Sequence, residues 1–270
     1  MMRTGVIDNE GPPRVGSNQF ACLQGDARRS LALAGMIRRL LLWDIDGTLV
    51  HAGGMGGQVF DDALIAAYGD LREIRIVMSG KTDPQIVREY LEALGVPAEA
   101  ATVAALLEAA ERGLAAGVDR MKVRGHTYPG VPELLERLAG DERIINSVLT
   151  GNTVANAKLK LATFGLDRWL DLDVGAYGSD DADRTRLVEV ALGRGRERYG
   201  SAGSPLTPGD AWVIGDTPLD LACARAGGAR CLLVGTGRYP ASELGALGAE
   251  AVVENLADAD AVAKLLTGDL

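Results

Sequence analysis

The chain has 270 residues, 47% of them hydrophobic, and a net charge of −9. That length and apolar content allow one good core and a smaller second one. The acidic balance, with no Lys/Arg block beyond short pairs, argues against nucleic acid or an anionic membrane as a partner, and no run reaches the roughly 18 apolar residues of a membrane span.

Residues 1–35 mix Gly, Pro, Asn and Arg without periodicity and lack the apolar core of a secretory signal. They are expected to be a disordered leader, with Met36 as a candidate start directly before the first strand. Cys22 falls in this leader. Cys223 and Cys231 lack metal-ligand spacing and read as buried free thiols in a reducing cytoplasm. Residues 38–45 are strand-like, with the apolar run Leu40–Trp43 at their centre. The glycine-rich stretch 51–57 suits a hinge; it lacks the lysine and Ser/Thr of a phosphate-binding loop, which disfavours nucleotides. Between 55 and 126 the pattern turns helical, with apolar residues recurring every three and four over 58–68, 83–94 and 98–116. Asp83 is read as an N-cap followed by a first-turn proline.

Beyond this segment, Gly130-Val131-Pro132 opens a helix. Strand 144–150, helix 153–163, strand 172–176, helix 183–194, strand 211–215, helix 218–226 and strand 229–234 then alternate. Alternation of this kind implies βα units and an α/β fold, a doubly wound parallel sheet with a Rossmann-like core. Core residues 36–54 and 127–270 would be interrupted by an inserted helical cap at 55–126. Ligands bind such sheets beyond the carboxyl ends of the strands.

Three expected strands end in residues that carry chemistry. The first delivers Asp44 and Asp46, one residue apart, before Gly47. Taken alone this is equally an Asp-Gly turn closing a strand. The second ends in Thr150-Gly151-Asn152, which in isolation is an ordinary turn. The third ends in Gly215-Asp216, with Asp220 about one helical turn further on; a helix N-terminal acid favoured by the dipole would look the same. Paired carboxylates at a strand end make a plausible seat for a divalent cation.

Asp-x-Asp, Thr and Asp-x-x-x-Asp at three strand ends, in this order, resemble the haloacid dehalogenase superfamily from about Met36 to the C-terminus. The layout is similar to that of phosphoglycolate phosphatases. The resemblance implies Mg²⁺-dependent hydrolysis of a small phosphorylated metabolite, in the cytoplasm, by a monomer or homodimer. Asp44 would be the nucleophile that forms an aspartyl-phosphate, and Asp46 the general acid and base. Asp44, Asp46, Asp216 and Asp220 would form the metal set, Asp46 also through its backbone carbonyl and Asp220 directly or from behind the other ligands. Thr150, Gly151 and Asn152 would hold the phosphoryl group at a helix start.

Similar enzymes carry a Lys-Pro pair before the Gly-Asp strand, and this chain lacks it. Arg184 is the candidate for that basic role, with Lys158 as its rival and Arg186 left to a solvated helix face. Lys81, in the loop 79–83, faces an anionic substrate group or belongs to a surface turn. Asp46 argues against a dehalogenase, whose halide leaving group needs no proton; a phosphonate hydrolase would need a cap lysine able to form a Schiff base, for which Lys81 is a poor candidate. A phosphomutase would keep every one of these residues, and a non-catalytic binding module could keep the fold.

Overall fold

The computed structural model describes residues 39–71, 74–199 and 206–268. The expected leader at 1–35, Cys22 and the candidate start at Met36 lie outside them. Arg39–Trp43 forms β1, buried along its whole length, as a central parallel strand covered on both faces must be. Val50–His51 (β2) then leads to four helices: Met55–Tyr68 (α1), Asp83–Ala93 (α2), Ala100–Ala116 (α3) and Val118–Arg124 (α4). The chain returns through His126–Thr127 (β3), which pairs antiparallel with β2 and sets His51 opposite His126.

Val131–Ala139 (α5), Ile144–Thr150 (β4), Val154–Thr163 (α6), Ala176–Tyr177 (β5) and Leu187–Tyr199 (α7) follow. The chain ends with Ala211–Gly215 (β6), Pro218–Gly227 (α8), Arg230–Val234 (β7), Ala241–Leu244 (α9), Ala251–Val253 (β8) and Ala259–Thr267 (α10). The sheet order is β5-β4-β1-β6-β7-β8, and every pairing in it is parallel. Strand order reverses at β1, which lies between β4 and β6; the crevice beyond the carboxyl ends of these three strands is where this topology binds ligands.

Successive side chains of β1 point to opposite faces, as strand geometry demands. Leu41 and Trp43 pack with Leu134, Leu161 and Leu266 on one side. Leu40 and Leu42 pack with Val188, Leu192 and Leu221 on the other. The helices α1–α4 bury a third cluster of their own, which includes Phe60, Tyr90, Leu91, Leu114 and Met121.

Several expected boundaries shift for local reasons. Thr82, not Asp83, is the N-cap of α2: its hydroxyl accepts from the Gln85 N–H. Asp83 stands one position inside and is buried. The strand expected at 172–176 reduces to Ala176–Tyr177. The helix expected from 183 begins later, because the Asp183 side chain accepts from the Thr185 N–H and sets a single 3₁₀ turn at Arg184–Arg186 first. The ribbon of β2 and β3, the strand β8 and the helix α10 carried no signal strong enough to be expected.

Candidate active site

β1, β4 and β6 end side by side, so Asp44, Thr150 and Asp216 follow from the register: Trp43 sits opposite Val148 on one flank and Ile214 on the other. The Asp44 N–H continues the ladder with Ile214 O at 2.8 Å. The carboxylates of Asp44, Asp216 and Asp220 are buried, with one oxygen of each within 4.8 Å of the others. The chain passes over Asp216 closely. A Cβ at Gly47, where φ is +89°, would come within 2.4 Å of its carboxylate, so only glycine fits that turn.

Arg184 enters from the 3₁₀ turn before α7. Its Nη2 lies 3.2 Å from Asp44 Oδ1 and also pairs with Asp220 Oδ1. The other oxygen of Asp220 accepts from the Thr217 N–H at 2.9 Å and the Thr217 hydroxyl at 2.7 Å. Asp220 is therefore both the acid of a capping box that starts α8 and the anchor of the guanidinium.

Burial pushes the Asp44 carboxyl up to about 6, against the pull of Arg184. Burial and the charges of Asp220 and Asp44 push Asp216 up to about 8, although Thr48 donates to it at 3.2 Å. Arg184 is buried too, and the two aspartates still hold its basicity raised. Were all three carboxylates ionised, the one guanidinium would leave two negative charges uncompensated. Hard oxygen donors in a buried cluster with that deficit suit a divalent cation such as Mg²⁺.

The carboxylate of Asp46 stands outside this cluster, half exposed. Its Oδ2 accepts from Lys160 Nζ at 2.5 Å and from Asn152 Nδ2 at 2.8 Å. Any contact of Asp46 with a metal at the cluster therefore falls to its backbone carbonyl. Asn152 also donates to Thr150 Oγ1 at 2.7 Å and accepts from Lys160 at 2.7 Å.

Lys158 does not reach the site. It is exposed on α6, and the lysine at the site is Lys160, two residues on and 3% exposed. Residues two apart on a helix face different ways. The buried positions of α6 are Asn156, Ala157, Lys160 and Leu161. A lysine on that apolar stripe was the signal available in the sequence.

A cavity of about 440 Å³ is lined by these groups, Asp44, Asp46, Thr150 and Arg184 among them. Phe60, Met78 and Ile86, from the helical segment, form part of its lining. Lys81 also lines it, with its ammonium ion-paired to Glu89. The start of α2 is fastened to the strand ends. The Asp83 N–H donates to Gly151 O at 2.7 Å, Thr82 Oγ1 donates to Ala182 O at 2.7 Å, and Asp83 Oδ2 accepts from the Thr153 N–H at 2.8 Å. The fit at Gly151 is close: a Cβ there would lie 2.0 Å from Lys81 O.

Solved structures share this architecture. A hydrolase from Pseudomonas syringae has 21% identity and a TM-score of 0.62, with 86% of this chain and 98% of that one covered. CbbY from Rhodobacter sphaeroides, solved in complex with phosphate, has 19% identity and a TM-score of 0.63 over 83% and 96%. A predicted phosphoglycolate phosphatase from Haemophilus somnus 129pt has 16% identity and a TM-score of 0.60 over 84% and 98%. At these identities the likeness is one of fold. No curated protein matches the chain in sequence. The haloacid dehalogenase-like hydrolase family matches residues 41–225, more than half of the chain, so the protein whose strand ends bring Asp44, Thr150 and Asp216 together belongs to that family.

Proposed function

We propose that the protein is a Mg²⁺-dependent phosphatase of small phosphomonoesters, similar to phosphoglycolate phosphatases, acting in the cytoplasm as a monomer or homodimer. One observation carries the reading. A carboxylate nucleophile, Asp44, lies 3.2 Å from a buried guanidinium in a cavity that also holds a second acid, Asp46. A leaving group that departs as an alkoxide needs that second acid. Relatives by fold include a protein solved with phosphate and a predicted phosphoglycolate phosphatase.

In this reading an Asp44 oxygen attacks phosphorus in line, the ester P–O bond breaks, and Asp46 gives its proton to the departing oxygen. Water then attacks the aspartyl-phosphate, Asp46 takes the water proton, and the bond from phosphorus to Asp44 breaks to release phosphate. Thr150 Oγ1 accepts from the side chain and the N–H of Asn152, so its own proton is available to a phosphoryl oxygen. Arg184 fixes Asp44 and offsets charge as it builds between nucleophile and phosphate. Asp44 and Asp216, with Asp220 beside them and the backbone carbonyl of Asp46, would hold Mg²⁺, which supplies charge neutralisation to the phosphoryl oxygens when bound. Gly151, Asn152 and Lys81 line the substrate space.

Phosphate release from a panel of phosphomonoesters, with and without Mg²⁺, for the native chain and Asp44→Asn, tests the proposal. Metal-dependent release abolished by the substitution is the expected result. No release from the native chain would refute hydrolysis, and isomerisation of a sugar phosphate in the same panel would make the protein a mutase.

A further inference from the structure

Lys160 is a buried ammonium that the phosphatase chemistry above does not use. Its Nζ bonds Asp46 Oδ2 at 2.5 Å and Asn152 Oδ1 at 2.7 Å, and Asn152 Nδ2 returns to the same Asp46 oxygen at 2.8 Å. Two donors therefore hold Oδ2, and among the described residues no hydrogen-bond partner engages Oδ1. The helix α1 leaves room on that side. A Cβ at Gly56 would sit 3.5 Å from Asp46 Oδ1 and 3.4 Å from Lys160 Nζ, and Gly56, Asp46 and Lys160 all line the cavity.

We propose that Lys160 is a positioning residue, resting on the phosphatase reading: with Asn152 it clamps one oxygen of Asp46 so that the other faces the leaving group. Asp46 needs such a clamp. Its side chain is 41% exposed, and a carboxylate that open to solvent is not held in one rotamer by packing. Proton transfer in the transition state requires a fixed heavy-atom distance, and a misplacement of about 1 Å costs on the order of 100-fold. The rival role for Lys160 is structural. The ammonium also acts on the buried Asp83, so it would serve only to balance charge between α2 and α6.

The two roles separate by leaving group. Nitrophenolate leaves without a proton, whereas an alkoxide does not. Lys160→Met is expected to lower kcat on the best alkyl phosphomonoester on the order of 100-fold, with KM little changed. The loss on 4-nitrophenyl phosphate is expected to be smaller by roughly tenfold or more. Lys160→Arg, which keeps a charged donor, should recover part of the alkyl activity. In an Asp46→Asn background, Lys160→Met should cost little more, because the group it orients is already gone.

Equal losses on both esters, or an undiminished loss in the Asp46→Asn background, would overturn the positioning role in favour of the structural one. Should Lys160→Met not fold, Lys160→Gln carries the same comparison, with the same two outcomes. A native chain that hydrolyses neither ester would refute the phosphatase reading itself, and the positioning role with it. Native activity on both esters with a uniform loss in the variant refutes the positioning role alone.

Discussion

Asp83 offers a test of whether burial or hydrogen bonding dominates where the helical segment meets the sheet. Its carboxylate is 5% exposed and accepts from the Thr153 N–H at 2.8 Å and from Asn156 Nδ2 at 3.3 Å. Lys160 attracts it as well, yet burial outweighs all three and pushes the carboxyl from the ordinary 3.8 up to about 6. A gap of about two pH units, at 1.36 kcal/mol each, makes the ionised side chain cost roughly 3 kcal/mol of stability.

The sign follows from proton binding. Between about pH 4 and pH 6 the native state holds the Asp83 proton more tightly than the unfolded chain, so this contribution falls as pH rises and is fully lost above about pH 6. Asp83→Asn keeps an acceptor for the Thr153 N–H and never ionises. Denaturant unfolding of both proteins in metal-free buffer should show the variant gaining on the native chain by up to roughly 3 kcal/mol between pH 4 and pH 7. For a chain of this size that corresponds to roughly 6–12 °C in melting temperature. Parallel pH profiles, or a variant that loses ground as pH rises, would mean that Thr153, Asn156 and Lys160 outweigh burial, and would refute the reasoning.

Arg184→Ala leaves three buried carboxylates with no cation; a loss of about 3–5 kcal/mol in metal-free buffer is expected by thermal unfolding, with phosphatase turnover reduced by orders of magnitude. Lys158→Ala removes an exposed side chain outside the cavity and should leave stability within about 0.5 kcal/mol on the same melts. Asp216→Asn removes the burial cost and the repulsion from Asp220 and Asp44 that push that carboxyl up to about 8, so the metal-free variant should melt higher than the native chain at neutral pH. The native chain should gain about 2.7 kcal/mol from Mg²⁺ at one hundred times its Kd, and Asp216→Asn should lose that response; an equal Mg²⁺ response in calorimetry would remove Asp216 from the metal site.

The residues at the strand ends were legible because strand and turn chemistry is local. The apolar runs Leu40–Trp43 before Asp44 and Ala211–Ile214 before Asp216 read as central strands of a covered sheet, and βα alternation orders them. The absence of the Lys-Pro pair that similar enzymes carry leaves Arg184, in the segment before the Gly-Asp strand, as the basic candidate. Lys158 and Lys160 look alike in the sequence and differ only in which face of α6 they occupy, so the local pattern does not single out Lys160. Asp83 reads as a cap for a similar reason. Thr82 and Asp83 are both good capping residues, and the backbone at 82 decides which of them takes the cap.

By itself the sequence determined the layered α/β core, the helical insertion and the carboxylates at the strand ends, because periodicity, turn residues and motif order are written within a few residues of one another. Only the tertiary structure decided how those groups are partnered: Arg184 between Asp44 and Asp220, Lys160 and Asn152 on Asp46, Asp83 against the start of α6. These are contacts between segments up to 140 residues apart, as Arg184 and Asp44 are. Such pairing depends on strand register and helix rotation, which the whole core fixes at once and no local pattern records.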